Sequence, residues 1–184
     1  MQHRTDREVP TANLTADGLQ RRFAVLLERF TRRELQILLD ALERSDADPG
    51  QELHRGGDPI DTLYLIWEGR LALAMPVGNE IIALGTLGPG EFIGTAAVID
   101  PGPAMVTLTV IEPSILLRLD RAGLQALRKA QPRVGGQLLR ALSLDLAERL
   151  RLYEEGMAER TQPADVGEFI RLCRPLLGIK DISP

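Results

Sequence analysis

Side chains able to do covalent or metal chemistry are sparse in this 184-residue sequence and do not converge. Histidine occurs at positions 3 and 54 only, and His3 lies in a polar leader. A His–carboxylate metal centre, which needs three or four ligands at defined spacing, therefore has one imidazole at most, and no metal is expected. Ser114 and Ser143 lie in no motif that brings a base to them. Neither a GxxxxGK[ST] loop nor a dinucleotide GxGxxG loop is present. The single cysteine, Cys173, excludes an intramolecular disulfide or a cysteine-held cluster and reads as a small buried apolar residue. The sequence thus reads as a non-enzyme without a cofactor. What remains chemically suggestive is a glycine-punctuated stretch, Leu87-Gly88-Pro89-Gly90-Glu91-Phe92-Ile93-Gly94-Thr95. The run from Gly88 to Glu112 contains no Lys or Arg.

The elements that hold this stretch are readable from periodicity. Residues 1–15 mix charged and turn-forming types without a pattern, a tail. Leu19, Phe23, Leu26, Leu27 and Phe30 recur at helical spacing, and Thr31 with Glu34 forms a capping box ahead of Leu35, Leu38, Leu39 and Leu42, so helices are expected over 17–44. From Ser45 to Gly50 turn residues take over, and short apolar runs follow over 48–120. Thr62–Trp67 is stopped by Glu68-Gly69; Leu71–Met75 and Ile81–Leu84 flank Pro76-Val77-Gly78-Asn79, a hairpin signal; Val106–Val110 and Ile115–Leu119 are parted by Glu112-Pro113-Ser114. Closely spaced short strands favour a barrel or jelly roll over a sheet fed by helices. Helices return over 121–161, with Asp120 as N-cap and Pro132 opening the longer one. Leu139, Leu142, Leu146, Leu150, Tyr153 and Met157 form one apolar stripe on it, flanked by Arg149, Arg151, Glu154 and Glu155. The stripe predicts a two-chain helical seam and hence a homodimer, packing on the chain's own strands being the other reading. Gln162-Pro163 breaks the helix, and 162–184 is expected to hold a short helical tail closed by Gly178.

Composition bounds the function. Hydrophobic residues are 44%, charged 26% and aromatic 4%, with a net charge of -4. One globular domain is expected; acidity argues against a phosphate-neutralising chain, and scarce aromatics against a single-strand stacking surface. No run reaches the roughly 18 apolar residues of a membrane span, and no signal peptide is visible, so no membrane contact and a cytoplasmic location are expected.

The order of helices, Gly-punctuated strands and helices resembles that of the cyclic-nucleotide-binding domain. So do Pro49-Gly50-Gln51-Glu52-Leu53, Arg55-Gly56-Gly57-Asp58-Pro59, Leu63-Tyr64-Leu65-Ile66, Glu68-Gly69-Arg70-Leu71 and Leu87–Gly94. The match, over about Phe30 to Met157, is to the catabolite-activator regulators and the kinase regulatory subunits. It implies a mainly β fold with flanking helices: a double-stranded β-roll (jelly roll) with N-terminal helices and a long C-terminal helix. In that family backbone N–H groups after the Phe-Ile-Gly meet the cyclic phosphate. A Glu just after the Gly binds the ribose 2′-hydroxyl, and an Arg nine or ten residues on pairs with the phosphate. By resemblance the pocket here comprises Gly94, Thr95, Ala96, Ala104, Met105 and Val106, with Tyr153 near the purine-contacting position. Thr95 stands at the Glu position and Ala104 or Met105 at the Arg position.

Leaving a buried anion without its charged partner costs several kcal/mol, so tight cyclic AMP or cyclic GMP binding is expected to be lost. A winged helix-turn-helix of roughly 70 residues does not fit in the 22 residues after Gln162, so no DNA-binding domain is expected. Two readings stay open. One is a regulatory or interaction module, engaging a protein partner, with its pocket filled by its own side chains or reused. The other is a sensor for a cyclic nucleotide or another small-molecule ligand, in which Thr95 and backbone N–H groups suffice.

Overall fold

The computed structural model describes residues 14–77, 80–158 and 173–179, the side chains of 156–158 excepted. The chain starts with α1 (Ala16–Arg22), whose N-cap Thr15 accepts a hydrogen bond from the Gly18 N–H at 3.0 Å. Thr15 and the half-buried Leu14 thus belong to the fold rather than to a tail. After α2 (Ala24–Leu27), α3 (Arg32–Ala41) opens with the expected capping box: Thr31 Oγ1 accepts from the Glu34 N–H, and Glu34 Oε2 accepts from the Thr31 N–H at 2.9 Å. These bonds, more than the nearby Arg133, hold the Glu34 carboxyl below its ordinary pKa.

The helix stops at Ala41, short of the expected residue 44. Glu43–Ala47 is β1, pairing antiparallel with residues 118 to 114. Its polar Glu-Arg-Ser-Asp-Ala sequence has no strand signature; pairing to a long partner draws it into the sheet, where tertiary context overrides propensity. The other strands are β2 (Glu52–His54), β3 (Pro59–Ile60), β4 (Thr62–Val77), β5 (Glu80–Leu87), β6 (Phe92–Ile93), β7 (Gly102–Pro103) and β8 (Thr107–Asp120). The sheet order is β1-β8-β4-β5, with β2 on β8 and β6 on β4; β3 pairs β7 separately, and every pairing is antiparallel.

Two expected strand breaks are bends instead. Glu68-Gly69-Arg70 lies within β4 and Glu112-Pro113-Ser114 within β8; the two strands stay paired across both, with register shifts between residues 66 and 71. Gly69 sits at φ 88, and a Cβ there would collide with Ser114 and the Pro113 carbonyl. A glycine in the left-handed region next to a close backbone is the signature of a bulge, which curls a sheet without ending it. The bend gives these strands two buried faces. Leu63, Leu65, Trp67, Ile115, Leu117 and Leu119 join the helical core, whereas Ile66, Leu71, Leu73, Leu108, Val110 and Leu116 fill the roll.

Between the strands lies α4 (Thr95–Ile99). After β8, Asp120 caps α5 (Arg121–Ala130) by accepting from the Gly123 N–H at 2.7 Å, and α6 (Pro132–Ala158) follows. Val134, Leu138 and Leu142 of α6 close the helical core. Pro175–Leu177 forms a 3-10 turn capped by Gly178 in the left-handed conformation, as the sequence suggested. The helix expected near Asp165 and Glu168 lies outside the described residues. The chain is a mainly β roll with helices at both ends. Among the described residues no helix is long and apolar enough to cross a membrane.

Candidate functional site

Three pieces of chain meet at the mouth of the roll. The first is the turn β6–Gly94–α4. Gly94 takes φ 95 and ψ 15 as N-cap of α4, which lets the chain leave β6 and turn immediately into the helix. The second is the segment around Met105, and the third is the face of α6 carrying Leu146 and Arg149. They enclose a cavity of about 210 Å³ whose wall also includes His54, Tyr64, Asp100 and Leu177.

Of the residues expected from the sequence, Gly94, Thr95, Ala96, Met105 and Val106 line this cavity. Ala104 does not: its N–H donates to the Asp58 carbonyl and its carbonyl accepts from the Gly57 N–H, both at 2.8 Å, and its side chain is buried off the cavity. These bonds fix the register so that Met105, 59% exposed, is the residue presented at the mouth. Tyr153 is half-buried and also off the cavity wall. Leu146 and Arg149, one to two turns earlier on α6, take the place expected for it.

Arg149 is the feature the sequence reading misplaced. Expected among the charges that flank the stripe, it is 8% exposed, and it is the one cation lining the cavity among the described residues. Its Nε pairs with Asp145 Oδ2 at 2.7 Å, and its guanidinium carbon lies 5.3 Å from the centre of the Phe92 ring. Thr95 Oγ1 donates to the same Asp145 oxygen at 3.2 Å. The i,i+4 spacing of Asp145 and Arg149 within an apolar stripe was the available signal. The rest of the wall carries little charge. Burial pushes the His54 imidazole below its ordinary pKa, against a smaller upward pull from Asp58, so the ring is neutral near pH 7. Its Nδ1 has no hydrogen-bond partner among the described residues. The Tyr64 ring lies 6.4 Å away, and burial raises its hydroxyl, outweighing Arg118. Among the described residues no group of three or more His, Cys, Asp or Glu converges.

The stripe on α6 divides between two roles. Leu142 is fully buried in the core of its own chain and so is not available to a second one. Leu139, Leu146 and Tyr153 are half-buried and Leu150 is 49% exposed; the Met157 side chain lies outside the described residues.

Comparison with known proteins accounts for this architecture. The family model for the cyclic nucleotide-binding domain matches residues 45–131. A CRP-like cAMP-activated global transcriptional regulator of Mycobacterium tuberculosis is 31% identical over 127 residues, 68% of this chain; the chain spans 54% of that relative's length. A lysophospholipase of Aspergillus fumigatus is 29% identical over 162 residues, 83% of this chain but 10% of the enzyme. Among solved structures, the N-terminal domain of a transcriptional regulator from Streptomyces coelicolor superposes with a TM-score of 0.62 at 31% identity, covering 71% of this chain and 91% of that one. With the Gly-anchored roll, the short helix after Phe92-Ile93-Gly94 and the long helix closing the pocket, these matches place the chain in the cyclic nucleotide-binding domain family.

Proposed function

We propose that this chain is a non-enzymatic regulatory module that does not hold cyclic AMP or cyclic GMP tightly and acts as a homodimer through α6. The observation that carries the first part is the charge of the pocket. Thr95 and Met105 stand where the family places Glu and Arg, and Arg149, the lining cation, is already paired with Asp145. A cyclic phosphate entering this site meets no uncommitted positive charge among the described lining residues, and burying it unpaired costs several kcal/mol. At about a hundred micromolar, cyclic AMP or cyclic GMP is expected to move the melting temperature by less than about 1 °C. A ligand at a hundred times its Kd would add about 2.7 kcal/mol, or roughly 5–11 °C for a chain of this size. A saturable rise of that order overturns this part of the reading. The cavity, with its unpartnered His54 Nδ1, favours a second reading as a sensor of a small uncharged molecule, which a thermal-shift screen of neutral metabolites would detect.

Support for the dimer comes from which residues of α6 stay uncovered. With Leu142 given to the core, the exposed Ser143 and Leu150 and the half-buried Leu139, Leu146 and Tyr153 fall, together with Met157 in the sequence, at steps of four, three, four, three and four. That is the heptad spacing of a two-helix seam, and the exposed Arg151, Glu154 and Glu155 lie close to it. Leu150→Glu is expected to convert a dimer sedimenting at tens of micromolar into a monomer with a cooperative melt. Burial of one Leu contributes about 1.5–3 kcal/mol, and an unpaired charge adds a desolvation penalty. A wild-type monomer at that concentration overturns the dimer. DNA is not a partner this reading requires, the net charge being -4.

A further inference from the structure

Part of the pocket wall comes from a later segment of the chain. Cys173–Ile179 packs against α6 and runs over the mouth of the roll. Leu176 and Leu177 form part of the cavity wall, while Leu177 and Ile179 are buried in the same cluster as Ile66, Leu84, Ile93 and Val106. Ile179 reaches β5, where its Cγ2 would stand 3.2 Å from a Cβ placed on Gly85. At Gly178 the backbone lies directly against the Arg149 guanidinium: a Cβ there would collide with Nη1, Cζ and Nη2 of that group, and φ is 76. Arg149 cannot easily yield, being held by Asp145 on one side and the Phe92 ring on the other. The cavity left beside this segment, about 210 Å³, is smaller than the roughly 300–1,000 Å³ of typical small-molecule sites.

We propose that residues 173–179 are a displaceable internal occupant of the ligand pocket, latched by the seating of Gly178 on Arg149, so that release of this segment opens the pocket. The segment takes up the apolar volume and ties down the cation that an incoming molecule would use. A ligand or partner protein acts on this chain by competing with it. The proposal concerns the same pocket as the functional reading above but stands on the segment's contacts alone. Its test therefore uses no cyclic nucleotide, and it can fail or hold independently of that reading.

Cys173 provides the reporter, because it is buried at the start of the segment and burial pushes its thiol above the ordinary pKa. Only thiolate reacts with a disulfide reagent such as DTNB, so labelling in the closed state is slow and tracks opening. Gly178→Val in the full-length protein places a β-branched residue in the left-handed region, against the guanidinium, where it does not fit. The expected result is DTNB labelling of Cys173 at least tenfold faster than wild type, emission of anilinonaphthalene sulfonate raised severalfold as the apolar pocket opens, and a retained cooperative melt. Leu177→Ala, which loosens the occupant without backbone strain, is expected to show the same changes to a smaller degree. Labelling no faster than wild type in a folded Gly178→Val overturns the proposal. So does loss of the cooperative melt in both variants, because the segment would then be permanent core.

Discussion

Replacing Met105 with arginine is expected to tighten cyclic AMP binding by about ten- to a hundredfold, whereas arginine at position 104 is expected to leave it unchanged. The family's spacing allows either position for the phosphate-binding Arg; the backbone here distinguishes them. Ala104 is locked between Gly57 and Asp58 by two hydrogen bonds of 2.8 Å and is 5% exposed, off the cavity wall. Met105 lines the mouth. A charge-assisted hydrogen bond contributes about 1.5–3 kcal/mol, which at 1.4 kcal/mol per decade gives the stated factor. Occlusion by residues 173–179 lowers the apparent affinity of wild type and variant by the same fraction, so the ratio is unaffected. Restoring the Glu as well is expected to harm rather than help. Thr95 is almost fully buried with its hydroxyl 3.2 Å from Asp145 Oδ2, so Thr95→Glu would set two carboxylates against the one Arg149. Competition against a fluorescent cyclic AMP decides the matter. Equal gains at 104 and 105, or none at either, would mean that the segment after α4 does not present Met105 to the phosphate.

What could be read from the sequence was set by how local its physical cause is. The capping box at Thr31–Glu34 and the cap at Asp120 involve residues three apart and were legible in full. The motif around Phe92-Ile93-Gly94 was legible because only glycine tolerates its conformation there. The bends in β4 and β8 were not, since Glu68-Gly69 is equally a reversal and a bulge until the partner strand is known. β1 was missed because its cause lies some seventy residues away in β8. Helix α6 carries leucines at 138, 139, 142, 144, 146, 150 and 152, on more than one face, so periodicity alone could not choose between Leu142 and Ser143 as the outward residue. Arg149 reads as a surface charge by type, and its burial follows from contacts with Phe92 and Gly178 that no local pattern records. The return of Leu177 and Ile179 to the roll is likewise a long-range packing event.

Gly94→Ala is expected to cost about 2–5 kcal/mol and to lower the melting temperature by roughly 4–20 °C, a large effect for one methyl group. Two independent causes combine. At φ 95 an L-residue with a Cβ pays about 1–2 kcal/mol for the left-handed conformation. The added Cβ would also collide with the Thr62 carbonyl oxygen and stand 3.0 Å from the carbonyl carbon and 3.1 Å from Leu63 Cα. All of these are backbone atoms of β4, hydrogen-bonded into the centre of the sheet, so overpacking adds about 1–3 kcal/mol rather than being relieved by a rotamer change. At 2–4 °C per kcal/mol the sum gives the stated range. Two other glycines separate the causes. Gly50 has φ 88 but open space around the Cβ position, so Gly50→Ala is expected to show the conformational part alone, about 1–2 kcal/mol. Gly136 lies in α6 with nothing within 4 Å, and Gly136→Ala is expected to stabilise by up to about 1 kcal/mol through helix propensity. Thermal melts of the three variants therefore should rank Gly136→Ala above wild type, Gly50→Ala below it and Gly94→Ala far below. If Gly94→Ala melts with Gly50→Ala, the β4 backbone gives way at Thr62, and the close seating of the cassette turn on that strand is not what fixes the pocket.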